Sequence, residues 1–71
     1  MLEKGKLYRV NDYALSDEVM WYQHNRELVA HHGYLWLWEG ERNKHDEPQL
    51  RAVSTGYVEL WFPDELEGAD A

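Results

Sequence analysis

Seventy-one residues with fourteen acids against seven lysines and arginines, a net charge of −7, suffice for one domain and leave no room for a second core. That acidic balance argues against direct binding to nucleic acid, whose backbone attracts basic surface. The absence of cysteine excludes disulfides and thiolate metal sites and fits a reducing cytoplasm, the expected location.

A chain this short buries a modest share of its surface, so dense aromatic packing or oligomerisation has to help. Four Trp, five Tyr and one Phe supply the aromatic packing. Met1 to Lys6 turns polar at once, unlike a signal peptide, and no apolar run approaches the roughly 20 residues of a membrane span, so no membrane partner is expected.

Lys6 to Val10 reads as a first strand, with Tyr8 and Val10 on one face and Leu7 and Arg9 on the other. Asn11-Asp12 is a turn signal. Leu15 to His32 is ambiguous. Ser16-Asp17-Glu18 resembles a helix start and His31-His32-Gly33 a helix end, yet the apolar residues between them spread almost all round a helical wheel. The segment therefore reads as a hairpin, Glu18 to Gln23 and Leu28 to Ala30 around the polar break His24 to Glu27. A short helix within 16–30 is the alternative.

Tyr34 to Glu39 is the strongest strand, alternating aromatics with leucines at period two. Residues 40–49 form a charged, non-periodic segment expected to be an exposed polar loop. Leu50 to Val53 resumes as a strand, and Ser54-Thr55-Gly56 turns into a last strand, Tyr57 to Phe62, ended by Pro63. Asp64 to Glu67 suits one 3₁₀ turn with Leu66 tucked back, and 68–71 is expected to fray as an acidic tail.

These elements make a mainly β single domain, a small barrel or strongly bent antiparallel sheet of about five strands. Gly5 to Val10 and Gly56 to Glu67 resemble the opening and closing strands of SH3-like barrels, in which the last turn often carries one buried leucine. The peptide-binding signature of that family is absent, so the resemblance implies a fold and no functional residue.

Strand parity then assigns faces. Glu59 shares a face with Tyr57 and Trp61, and an unpaired carboxylate is costly to bury, so Val58, Leu60 and Phe62 are expected inside. By the same reasoning Leu35 and Leu37 point to the core and Tyr34, Trp36 and Trp38 to the opposite face. Three readings of this aromatic face compete: a layer covered by Val19 to Tyr22, a homo-oligomer interface, or a ligand-binding face. The inverse assignment, with the Trp residues inside, stays open.

Four histidines match no metal-ligand spacing, and neither serine, Ser16 or Ser54, sits in a nucleophile context. No cofactor, metal or catalytic residue is expected. The expected function is a small acidic protein-interaction module, of the accessory or inhibitor type found in phages and mobile elements. It would bind a protein partner with a basic surface through Tyr34, Trp36, Trp38, Tyr57 and Trp61, with Glu59, Asp64 and Glu65 at the rim. The alternatives are a homo-oligomer that uses the aromatic face as its interface and an enzyme whose site is shared between subunits.

Overall fold

The chain is described by a computed structural model over residues 2–69. Alternating burial starts at β1 (Lys6–Val10), where Tyr8 and Val10 are buried while Lys6 and Arg9 are exposed. β1 pairs antiparallel with β2 (Leu35–Trp38), which pairs with β3 (Gln49–Ala52), and β3 pairs with β4 (Val58–Leu60). β5 (Leu66–Gly68) returns to the free side of β1, giving one five-stranded sheet in the order β4-β3-β2-β1-β5. The fold is mainly β.

The sheet has to bend. Its outermost strands are joined by only the five residues Trp61 to Glu65, three of them in a 3₁₀ turn (Pro63–Glu65). Six steps from Leu60 to Leu66 would reach about 20 Å at full stretch, but with three residues wound into a 3₁₀ turn at about 2 Å each the link reaches only about 16 Å, whereas the outer strands of a flat five-stranded sheet lie roughly 19 Å apart. The link is also pinned on both sides. Trp61 N donates to Pro48 O at 3.3 Å, and Asn11 N donates to Glu65 O at 3.0 Å. Leu66 is buried directly after the turn, the feature that resemblance to SH3-like barrels implies at this point.

The segment expected to be a hairpin is instead helix α1 (Tyr22–His32). Its inward stripe runs Trp21, Asn25, Leu28, Val29 and His32, at helical spacing, with Asn25 and Leu28 buried. Two members of that stripe are polar, so a wheel scored on apolar residues alone shows no face. Met20 and Ala30, apolar but exposed, blur it further. The helix does end where the sequence signals it, with Gly33 N donating to Val29 O at 2.8 Å.

The assignment of sheet faces is inverted. Trp36 and Trp61 are fully buried and Trp38 nearly so, while Leu35 is 38% exposed and Leu37 half-buried. Register shows why these side chains share one face: Tyr8 lies opposite Trp36, and Trp36 opposite Ala52. Leu50 lies opposite Glu59, so the Tyr57-Glu59-Trp61 face is the core face too. The two large rings Tyr8 and Trp36 lie side by side with small Gly68 and Ala52 at either end of the row, and α1 and a first 3₁₀ turn (Tyr13–Leu15) add Leu28 and Ala14 to the same core. Val58, Leu60 and Phe62 are half-buried rather than central.

The penalty on which the expected assignment rests, burial of an unpaired Glu59 carboxylate, does not arise. Glu59 sits at the margin of the core, with 23% of its side chain exposed and Oε2 3.6 Å from His24 Nε2 on α1. Two of the three core indoles are also satisfied inside, whereas Trp61 Nε1 is buried with no hydrogen-bond partner among the described residues. Trp36 Nε1 donates to Gly33 O at 3.0 Å and Trp38 Nε1 to Glu41 O at 2.9 Å, each bond reaching three residues along the chain. Trp36 and Trp61 meet edge-on, with centroids 5.3 Å apart.

The polar segment before β3 is exposed at Glu41, Arg42 and Lys44 to Asp46, but it is built around one residue. Asn43 Oδ1 accepts from His45 N and Glu47 N at 2.9 and 3.0 Å, and Arg42 bridges to Pro48 across its neck. The tail expected to fray is paired at its start, since Gly68 belongs to β5 and Ala69 N donates to Leu7 O at 3.1 Å. Residues 70–71 of that tail lie outside the described residues.

Candidate functional site: an aromatic groove between the two 3₁₀ turns

The two 3₁₀ turns are tied to each other by Asn11. Its Oδ1 accepts from Ala14 N at 2.9 Å, capping the first turn, and its Nδ2 donates to Asp64 O at 2.8 Å in the second. Between the turns and the chain entering α1 lies a groove of about 500 Å³, lined by Tyr13, Val19, Trp21, Phe62, Pro63 and Asp64 with Glu65 behind. That volume is within the range of small-ligand and peptide side-chain pockets. Its walls are chiefly hydrocarbon and aromatic ring. Tyr13 and Trp21 are 42% and 46% exposed, and the Trp21 and Phe62 rings pack with centroids 5.7 Å apart.

Glu65 holds the groove in shape. The carboxylate is 2% exposed and accepts three hydrogen bonds. Trp21 Nε1 donates to Oε2 at 2.8 Å, Asn25 Nδ2 to Oε2 at 3.0 Å, and Phe62 N to Oε1 at 2.9 Å. The last is the reach-back half of a capping box on the second 3₁₀ turn. Asn25 also donates to Ala14 O at 2.8 Å, so one buried Asn-Glu pair joins α1 to both turns. A buried carboxylate with three donors is a fixed structural charge rather than a stranded one.

One exposed carboxylate, Asp64, stands in the lining, and the segments that build the groove carry three more exposed acids, Asp12, Asp17 and Glu18, next to Tyr13 and Val19 in the chain. None of the four forms an ion pair among the described residues. Neither 12–21 nor 61–69, the segments that build the groove, contains a lysine or arginine.

The residues expected from sequence to share one binding face are divided among three places. Trp36, Trp38 and Trp61 belong to the core and present no binding surface. Tyr34 and Tyr57 are exposed near the C-terminal end of α1, where Tyr57 stacks on His32 at 4.2 Å between centroids and Tyr34 lines two further grooves, of about 150 and 500 Å³. Glu59, at the core margin, raises the pKa of Tyr57 above its ordinary value, first through a hydrogen bond, then through its charge, with a smaller effect of burial. Of the expected rim, Asp64 stands in the groove lining, whereas Glu65 is buried behind it.

Tyr13, Trp21, Phe62 and Pro63 were not marked by sequence as a site. Tyr13 and Pro63 open the two 3₁₀ turns and Phe62 caps the second, where no periodicity speaks, and Trp21 stands just before α1 in a segment whose residue types favour a strand. Among the described residues there is no group of three or more His, Asp or Glu placed to hold a metal ion, and no helix long and apolar enough to cross a membrane. Comparison with protein families, with characterised proteins and with solved structures finds no match for this chain.

Proposed function

We propose that the protein is a small protein-binding module that docks a basic segment of a partner into the Tyr13-Trp21-Phe62 groove. One observation carries the reading: an open aromatic groove of about 500 Å³ with the exposed Asp64 in its lining, built by segments whose exposed carboxylates have no cationic partner among the described residues. Exposed Trp and Tyr on a preformed wall are the side chains that dominate protein interfaces. Unpaired like charges round them favour an oppositely charged partner and speed its approach. The groove, not the Trp36-Trp38 strand, takes the binding role, and the reading involves no catalytic step.

The test is capture from a host lysate by the wild-type chain and by a Tyr13→Ser/Trp21→Ser variant, at low and high salt. A bound protein that is lost from the variant and weakened by salt supports the docking reading. Capture indifferent to both changes refutes it. Self-association is a second reading, resting on exposed Tyr34, Leu35 and Val53 beside one another at a smaller groove. Light scattering that finds a monomer at high concentration eliminates it.

A further inference from the structure

We infer that the side chain seated in this groove is an arginine of the partner's basic segment, an inference that rests on the docking reading above. The shape of the chemistry is specific. Tyr13, Val19, Phe62 and Pro63 make a largely apolar lining, and the one exposed charged group in it is the Asp64 carboxylate. A ligand that suits both is a hydrocarbon stem ending in a cation, the construction of arginine and lysine.

Trp21 favours arginine of the two. Its ring is fixed by the bond from Nε1 to Glu65 Oε2 at 2.8 Å. Donation to a carboxylate pushes electron density back into the indole and deepens the negative potential over its face, where a cation is attracted. A guanidinium is flat, weakly hydrated and able to stack on that face while its edge hydrogen-bonds to a carboxylate such as Asp64, whereas an ammonium is compact and strongly hydrated. The chain already uses this contact twice within itself, with Arg26 over the Tyr22 ring and Arg42 over the Trp38 ring, each at 5.0 Å. The buried Glu65 oxygens are occupied by three donors, so the ligand's partner is Asp64 and Glu65 acts through the ring and its field.

The experiment titrates the ¹⁵N-labelled protein with three nine-residue peptides in which glycine alternates with arginine, lysine or glutamine. The readout is the four tryptophan indole N–H signals. The arginine peptide is expected to shift the Trp21 signal saturably and leave Trp36, Trp38 and Trp61 in place. The lysine peptide should bind about three- to fivefold more weakly, and the glutamine peptide should not saturate. Asp64→Asn, an exposed change that leaves the core intact, should weaken the arginine peptide by a similar factor. Equal binding of the lysine peptide, binding of the glutamine peptide, or no saturable movement at Trp21 each overturns the assignment. If lysate capture nevertheless remains groove-dependent and salt-sensitive, the docking reading stands and only its arginine is wrong.

Discussion

Replacing Glu65 by glutamine tests the account of the groove at its foundation. The substitution keeps size and shape but leaves one oxygen where there were two, facing three donors at 2.8 to 3.0 Å. If the amide oxygen takes the Oε2 position, its NH₂ group confronts Phe62 N–H; if it takes the Oε1 position, the NH₂ group confronts both Trp21 and Asn25. At least one buried donor therefore loses its acceptor, at about 1–3 kcal/mol, and the surviving bonds fall from charge-assisted to neutral strength, about 1 kcal/mol each. Relief of the buried charge offsets part of this. The net expectation is a loss of about 2–4 kcal/mol, which in a domain this small lowers the melting temperature by at least about 10 °C. Thermal unfolding followed by circular dichroism at neutral pH measures it. A variant melting within about 3 °C of wild type would refute the claim that the carboxylate organises α1 and the two 3₁₀ turns.

Trp36→Ala should cost about 3–5 kcal/mol in denaturant unfolding because the ring is wholly buried, and a loss below about 1 kcal/mol would return that ring to the surface. Ala52→Leu, directly opposite Trp36, should destabilise by about 1–3 kcal/mol through overpacking, measured the same way. Gly33→Ala should cost about 1–3 kcal/mol on backbone grounds alone. Gly33 has φ +86° and ψ −179°, and the nearest atom to an added Cβ is Ser54 Oγ at an ordinary 3.7 Å. Tyr57 has its pKa raised, so the folded state holds the phenol proton more tightly than the unfolded chain does. That contribution is present below about pH 10, the unfolded value, and disappears as pH rises through the folded one. In an NMR titration of the ring, Glu59→Gln should move the midpoint down toward 10, and an unmoved midpoint would count against Glu59 as the cause.

Much of the strand layout was legible because it depends on local chemistry. Lys6 to Val10 alternates, Gly33 stops a helix, and Pro63 lacks the donor a ladder needs, so the first strand, the helix end and the last turn follow from neighbouring residues alone. The helix itself was hidden because its buried face includes Asn25 and His32. A polar residue belongs on such a face only when a partner elsewhere in the chain receives it, and for Asn25 those partners are Ala14 and Glu65. The groove was hidden for a related reason: it joins residues 13–21 to 62–65 across two turns without any repeating pattern.

By itself the sequence determined that Tyr34, Trp36 and Trp38 share one face and Leu35 and Leu37 the other, since period two permits nothing else. Which face turned inward was settled by tertiary structure. Both faces of that strand are apolar, so alternation carries no direction, and Glu59 offers one only if it lacks a partner. Once α1 lies across the sheet, His24 meets Glu59 and Leu28 covers the core that the rings fill, while nearby carbonyls accept the Trp36 and Trp38 indole N–H groups. The larger side chains then bury more apolar area on the covered side, and the leucines are left to the outer face.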